Sequence, residues 1–141
     1  MNVTTPPASV IAHVSLGTND YPRARAFYDA VLATLGIQRV MEHGPHAGYG
    51  RGLPEFWVQA PHDQGVAQPG NGAHVCFRAE TTAQVQAFYA TALALGAVDD
   101  GAPGLRPLYS PRYYAAFVRD LDGHKIEALC WVTEAAPPVQ A

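Results

Sequence analysis

Ala12-His13-Val14, with Phe27-Tyr28 thirteen residues after Val14, is the stretch that decides how this chain is read. The pattern returns at Ala73-His74-Val75, with Phe88-Tyr89 at the same interval. Ala26 and Ala87 keep that register, as do Leu32 and Leu93, and each copy then reaches a Leu-Gly pair, Leu35-Gly36 or Leu95-Gly96. One unit is therefore used twice. A half of this size buries too little surface to be stable alone, so the two copies are expected to share a core. The repeated histidine is the residue whose chemistry needs explaining.

Working outward, Val10 to Leu16 reads as a strand with Ala12, Val14 and Leu16 on one face and Ile11, His13 and Ser15 on the other. Asn19 or Asp20 can cap the helix that follows, and Pro22 suits its first turn. From Tyr21 to Leu35 the apolar period is helical, with Phe27, Val31 and Leu35 in one stripe beside Tyr28 and Leu32. Gly36 suits the left-handed position that ends a helix. Strands follow at Ile37 to Glu42, Ala47 to Arg51 and Glu55 to Gln59, with a turn at His43 to His46. Ala60 to Asn71 is rich in Pro, Gly, Asp and Asn and separates the copies.

The second copy repeats the order. Gly72 to Ala79 is a strand, and Thr81 or Thr82 caps a helix with Val85, Phe88, Ala92 and Leu95 in its buried stripe. Ala97 to Asp100 is a short strand, and Gly101 to Pro111 reads as a long loop. Tyr113 to Arg119 and Lys125 to Val132 are strands joined by the Leu121-Asp122-Gly123-His124 turn. Each copy reads β-α-β-β-β, so the chain is an α+β domain over 1–141, built of modules 9–60 and 72–133.

Composition narrows the class. Hydrophobic residues make up 48% and charged residues 15%, as in a globular protein. The net charge of −3, with no basic stripe among aromatics, argues against nucleic acid. No apolar run approaches the ~18 residues of a membrane span. Met1 to Ser9 lacks the pattern of a signal peptide, so the Asn2-Val3-Thr4 sequon carries no weight. Glu134 to Ala141 reads as a frayed Pro/Ala-rich tail. Two cysteines, Cys76 and Cys130, make no disulfide framework, and a cytoplasmic location is expected.

The residues that could carry chemistry are His13 and His74, at one place on the first strand of each copy, and Glu55 and Glu127, on the last strand of each. A single strand histidine is most often a hydrogen-bonded structural residue. Two imidazoles and two carboxylates related by a two-fold axis would instead make a mixed N/O shell for Zn, Ni, Co, Mn or Fe. In an octahedral site such a shell leaves two positions for water or substrate. Trp57 is either core or an apolar wall of a pocket. Arg106 and Tyr109 in the long loop either bind an anionic group or are exposed. Cys76 shares the face of His74 and reads as a buried, inert thiol rather than a pocket thiol. His43, His46, His62 and His124 fall in turns and read as surface. Gly48 to Gly52 follows no strand-to-helix turn, which argues against a phosphate loop.

Ile11 to Val14 with Arg25 to Tyr28, Pro54 to Trp57, Ala73 to Val75, and above all Phe117 to Glu127 carry a family resemblance. Over roughly residues 9 to 133 the chain resembles the vicinal oxygen chelate superfamily of glyoxalase I, bleomycin-resistance proteins and extradiol dioxygenases. The resemblance implies two βαβββ modules forming an eight-stranded, incompletely closed sheet with the helices outside. It implies a divalent metal on His13, Glu55, His74 and Glu127, with Glu127 or Glu55 moving a proton. The substrate would be a small molecule that chelates the metal through neighbouring oxygens, and the activity a glyoxalase-like lyase or isomerase. Alternatives are a metal-free drug-binding protein, and an extradiol-type dioxygenase using His13, His74 and Glu127 on iron. Small members of the family form homodimers, and a homodimer is expected by analogy. Leu121 stands where the family usually has proline.

Overall fold

Tyr28, Phe27, Val31 and Leu32 from one helix and Phe88, Val85 and Ala92 from the other meet in a single buried cluster, and the sheets wrap that cluster. A computed structural model describes residues 9–133; the expectations for the two chain ends lie outside these. The order is β1 (Val14–Gly17), α1 (Tyr21–Ala33), β2 (Gln38–His43), β3 (His46–Gly50), β4 (Phe56–Gln59), β5 (His74–Arg78), α2 (Thr82–Ala94), β6 (Val98–Leu105), β7 (Tyr113–Arg119) and β8 (Lys125–Trp131). The βαβββ unit is thus repeated, and the chain is α+β.

The strands form two four-stranded sheets, β1-β4-β3-β2 and β5-β8-β7-β6, which are not hydrogen-bonded to one another. In each, the first strand pairs parallel with the last, and the remaining pairs are antiparallel. Asp20 caps α1 by accepting from the Arg23 N–H, and Thr81 caps α2 by accepting from the Gln84 N–H. Gly36 and Gly96 end the helical turns with φ of 72° and 104°, as a residue without Cβ can.

The halves share more than a core. Phe56 of β4 meets Phe77 of β5 edge to face, with ring centroids 5.0 Å apart. On the other side, the Tyr28 hydroxyl donates to Asp120 Oδ2 at 2.5 Å, and His124 Nε2 donates to the Gly17 carbonyl at 2.7 Å. The Asn19 N–H donates to Asp122 Oδ1. The β7–β8 turn of the second half is thereby clamped to α1 and β1 of the first.

Several expectations need correction. Gly101 to Leu105 is not loop: it continues β6, with register shifts at Asp99/Gly101 and Gly101/Gly104. Bulges let Gly and Pro enter an edge strand, so turn-type composition misleads here. Leu95 is 42% exposed, because α2 ends at Ala94 and the next residue turns away. His124 is buried at 7%, drawn inside by the Gly17 carbonyl. His43 and His46 flank a Gly44-Pro45 turn as the ends of β2 and β3, and their rings stack.

Candidate functional site

Alternation along β5 turns Val75 and Phe77 into the core and leaves His74, Cys76 and Arg78 on the open face of the second sheet. On β8, Ile126, Ala128 and Cys130 point to the core, so Glu127 points to the open face. The parallel register sets Cys76 opposite Glu127, with His74 one step along on the same face. His74 Nε2 lies 3.1 Å from Glu127 Oε1. The Tyr113 hydroxyl of β7 donates to Glu127 Oε2 at 2.5 Å.

Glu127 is 1% exposed, a position a carboxylate keeps only when its oxygens are bound. Here one oxygen faces His74 and the other Tyr113, and His74 itself reaches solvent with 44% of its side chain exposed. Burial raises the Tyr113 hydroxyl above its usual value, and the Glu127 carboxylate adds to the shift. Cys76 is exposed rather than buried, yet desolvation of its thiol by the sheet face and then the charge of Glu127 push it up to about 12. It is therefore protonated and a poor nucleophile at neutral pH. Tyr113 is held between Tyr109 and Trp131, each packed edge-on against its ring.

The first sheet carries the other pair. His13 immediately precedes β1 and Glu55 immediately precedes β4, and both are exposed rather than inside strands. Val14 pairs with Phe56, so His13 and Glu55 stand side by side at one end of the parallel pair. Ser15, the repeat counterpart of Cys76, lies opposite Trp57. Trp57 thus occupies in the first half the place that Glu127 holds in the second. It lies against Gly48, where a Cβ would come within 3.0 Å of the indole. Within one chain, no three His, Cys, Asp or Glu side chains among the described residues converge as a metal site. The structure brings together His74 and Glu127, and neither His13 nor Glu55 joins them in a three-ligand cluster among the described residues.

Arg106 is not free in a loop. Its guanidinium donates to the carbonyls of Gly104 and Ala102 and stacks over Phe117, with Cζ 5.4 Å from the ring centre. Lys125 approaches the same ring at 5.0 Å. These contacts pin the bulged β6 and cover Phe117, which is 8% exposed. Tyr109 is 66% exposed and touches the site only through Tyr113. Sequence reasoning missed Tyr113. Its signal was its strand parity with Phe117, whose partner across the sheet is Glu127.

Residues 10–128 match the model of the Glyoxalase/Bleomycin resistance protein/Dioxygenase superfamily. Among solved structures, a glyoxalase/bleomycin resistance protein from Albidiferax ferrireducens is 36% identical, covering 86% of this chain and 98% of that one, with a TM-score of 0.76. The fold is also similar to a lactoylglutathione lyase from Agrobacterium tumefaciens, 20% identical over 89% of this chain and 95% of that one, with a TM-score of 0.58. A variant of the fosfomycin resistance protein FosX from Listeria monocytogenes, complexed with Mn(II) and 1S,2S-dihydroxypropylphosphonic acid, is 14% identical over 92% and 95%, with a TM-score of 0.63. No curated protein sequence matches the chain.

Proposed function

The chain belongs to the glyoxalase/bleomycin resistance protein/dioxygenase superfamily, and we propose that it is a metal-dependent, glyoxalase-like lyase or isomerase acting on a small substrate with two neighbouring oxygens. The observation that carries this is the spacing of His74 Nε2 and Glu127 Oε1, 3.1 Å. Two donors bound to one ion at ~2.1 Å and at right angles stand ~3 Å apart, so the pair fits two adjacent ligands of a divalent metal. An imidazole and a carboxylate also match the N/O chemistry of Zn, Ni, Co, Mn or Fe. When bound, such an ion polarises a substrate oxygen and makes the neighbouring carbon more acidic.

The remaining work falls to the chain. In this reading Glu127 takes and returns the substrate proton, and the Tyr113 hydroxyl, which donates to Oε2, orients its carboxylate. Buried surroundings keep bulk water from the carboxylate. His13 and Glu55 form a second imidazole–carboxylate pair on the other sheet. A second copy of the chain would bring that pair to His74 and Glu127, so the reading includes a homodimer. Trp57, set between Gly48 and Ser15 on the first sheet, would then add an apolar wall beside the metal.

Metal titration of the chelator-stripped protein, with light scattering for mass, tests this. The expected result is one divalent ion per chain, abolished by His74→Ala and by Glu127→Ala. His13→Ala and Glu55→Ala are expected to weaken binding less, since both side chains are exposed. Unchanged binding in Glu127→Ala would sink the proposal.

A further inference from the structure

A cavity of about 430 Å³ opens on the seam between the two sheets and has His74 and Cys76 in its wall. It therefore adjoins the pair on which the proposed function rests. Its size falls in the range of small-molecule sites. Ile37, Phe56 and Phe77, each less than a tenth exposed, give it an apolar floor, and Ile11 and Val14 line the side of the first half. A second cavity of about 240 Å³ shares His74 and Val75 with it and carries Ser15, Gln68 and Lys125. With His74 and Val75 in the walls of both, the two cavities adjoin as one groove at β5.

Charge in the larger cavity is uneven. Arg51 and Arg78 line it, against the single carboxylate of Glu55. Arg78 shares the face of His74 and Cys76, at the far end of β5. Its guanidinium has no hydrogen bond or ion pair among the described residues. Arg51 Nη2 is anchored on the carbonyls of Leu35 and Arg78, which aims this guanidinium at the seam and leaves its other N–H groups uncommitted. Glu55 likewise makes no ion pair among the described residues. Two guanidinium groups above a buried aromatic and aliphatic floor suit a planar oxyanion on an apolar body.

We propose that this cavity is the substrate-binding site, and that it selects an aromatic or branched-aliphatic organic anion. The apolar body lies on Ile37, Phe56 and Phe77, and the carboxylate-like group is held by Arg78 with Arg51. The reacting end then extends along the groove to His74. This deepens the reading above, which left the substrate class open.

The probes are 4-isopropylbenzoate and 4-isopropylbenzamide, of equal size and different charge, titrated into the full chain by calorimetry and by backbone amide shifts. The benzoate is expected to bind, with shifts confined to residues 9–14, 37, 49–56 and 74–78. The amide is expected to bind at least tenfold more weakly. Arg78→Gln is expected to weaken the benzoate at least tenfold, with partial recovery in Arg78→Lys. Equal affinity for both probes, shifts elsewhere, or benzoate affinity untouched by Arg78→Gln and Arg51→Gln would overturn the proposal, as would no binding at all. Glu127→Ala separates the two readings, since Glu127 does not line this cavity. It should lose the metal while holding the benzoate within about threefold, so either site can fail without the other.

Discussion

Glu127 sits at the point where the site is most exacting. A carboxylate with 1% exposure has both oxygens engaged, and Tyr113 supplies the only hydroxyl among the described contacts. Tyr113→Phe removes that donor and leaves Oε2 buried without a partner. The expected loss is ~1–3 kcal/mol in urea unfolding, the usual penalty for orphaning a buried acceptor. Tyr109→Phe, whose residue is 66% exposed, should change stability by less than ~0.5 kcal/mol. A Tyr113→Phe protein as stable as the wild type would show that the hydroxyl does not hold the carboxylate. His74 could be picked out from the repeat alone. Tyr113 needed more: its parity with Phe117 is legible in the sequence, but only the strand register that pairs Phe117 with Glu127 brings its hydroxyl to the carboxylate.

Among the elements, β3 and the turn after it explain the glycine-rich run Gly48 to Gly52. Gly48 leaves room for the Trp57 indole, and a Cβ on Gly50 would collide with the Leu53 carbonyl. The glycines are there for close backbone approach. Gly50→Ala should therefore cost more than ~2 kcal/mol, because the colliding atom is backbone and cannot swing away. Gly52→Ala, with nothing near its Cβ and no positive φ, should stay within ~0.5 kcal/mol. Equal effects in thermal melts would contradict this account of the turn. β6 teaches the opposite lesson, since its Gly and Pro belong to bulges rather than to a loop. Composition could not separate the two cases.

Across the whole molecule, Tyr28, Asp120 and His124 tie the halves together where the hydrophobic cluster ends. Tyr28→Phe should cost ~1–3 kcal/mol by leaving Asp120 short of a donor. Burial raises the Asp120 carboxyl above its ordinary value of 3.8, with the Tyr28 hydroxyl, His124 and the N–H of Asp122 acting the other way. A raised carboxyl contributes stability that is full below its ordinary value and lost as pH rises through the folded value. The difference in thermal midpoint, wild type minus Asp120→Asn, should therefore fall as pH rises from about 3.8. A difference that is flat in pH, or that grows, would contradict the burial of the charge. No helix among the described residues is long and apolar enough to cross a membrane.

What the sequence determined was local and periodic. The repeat, the helical stripes with their Asp20 and Thr81 caps, the closing glycines and the Asp-Gly turn all follow from residue spacing and backbone preference. These need no knowledge of distant neighbours, and the order β-α-β-β-β with its family resemblance came from them. What only the tertiary structure decided was which residues meet. Strand register set Glu127 opposite Cys76 and Trp57 opposite Ser15, and a shift of one residue would have exchanged the faces. The failure of His13 and Glu55 to join His74 and Glu127 in a three-ligand cluster among the described residues, the burial of His124 and the pinning of Arg106 all depend on how two sheets pack about one core. That packing is set by shape and by contacts far apart in sequence, which spacing along the chain does not encode.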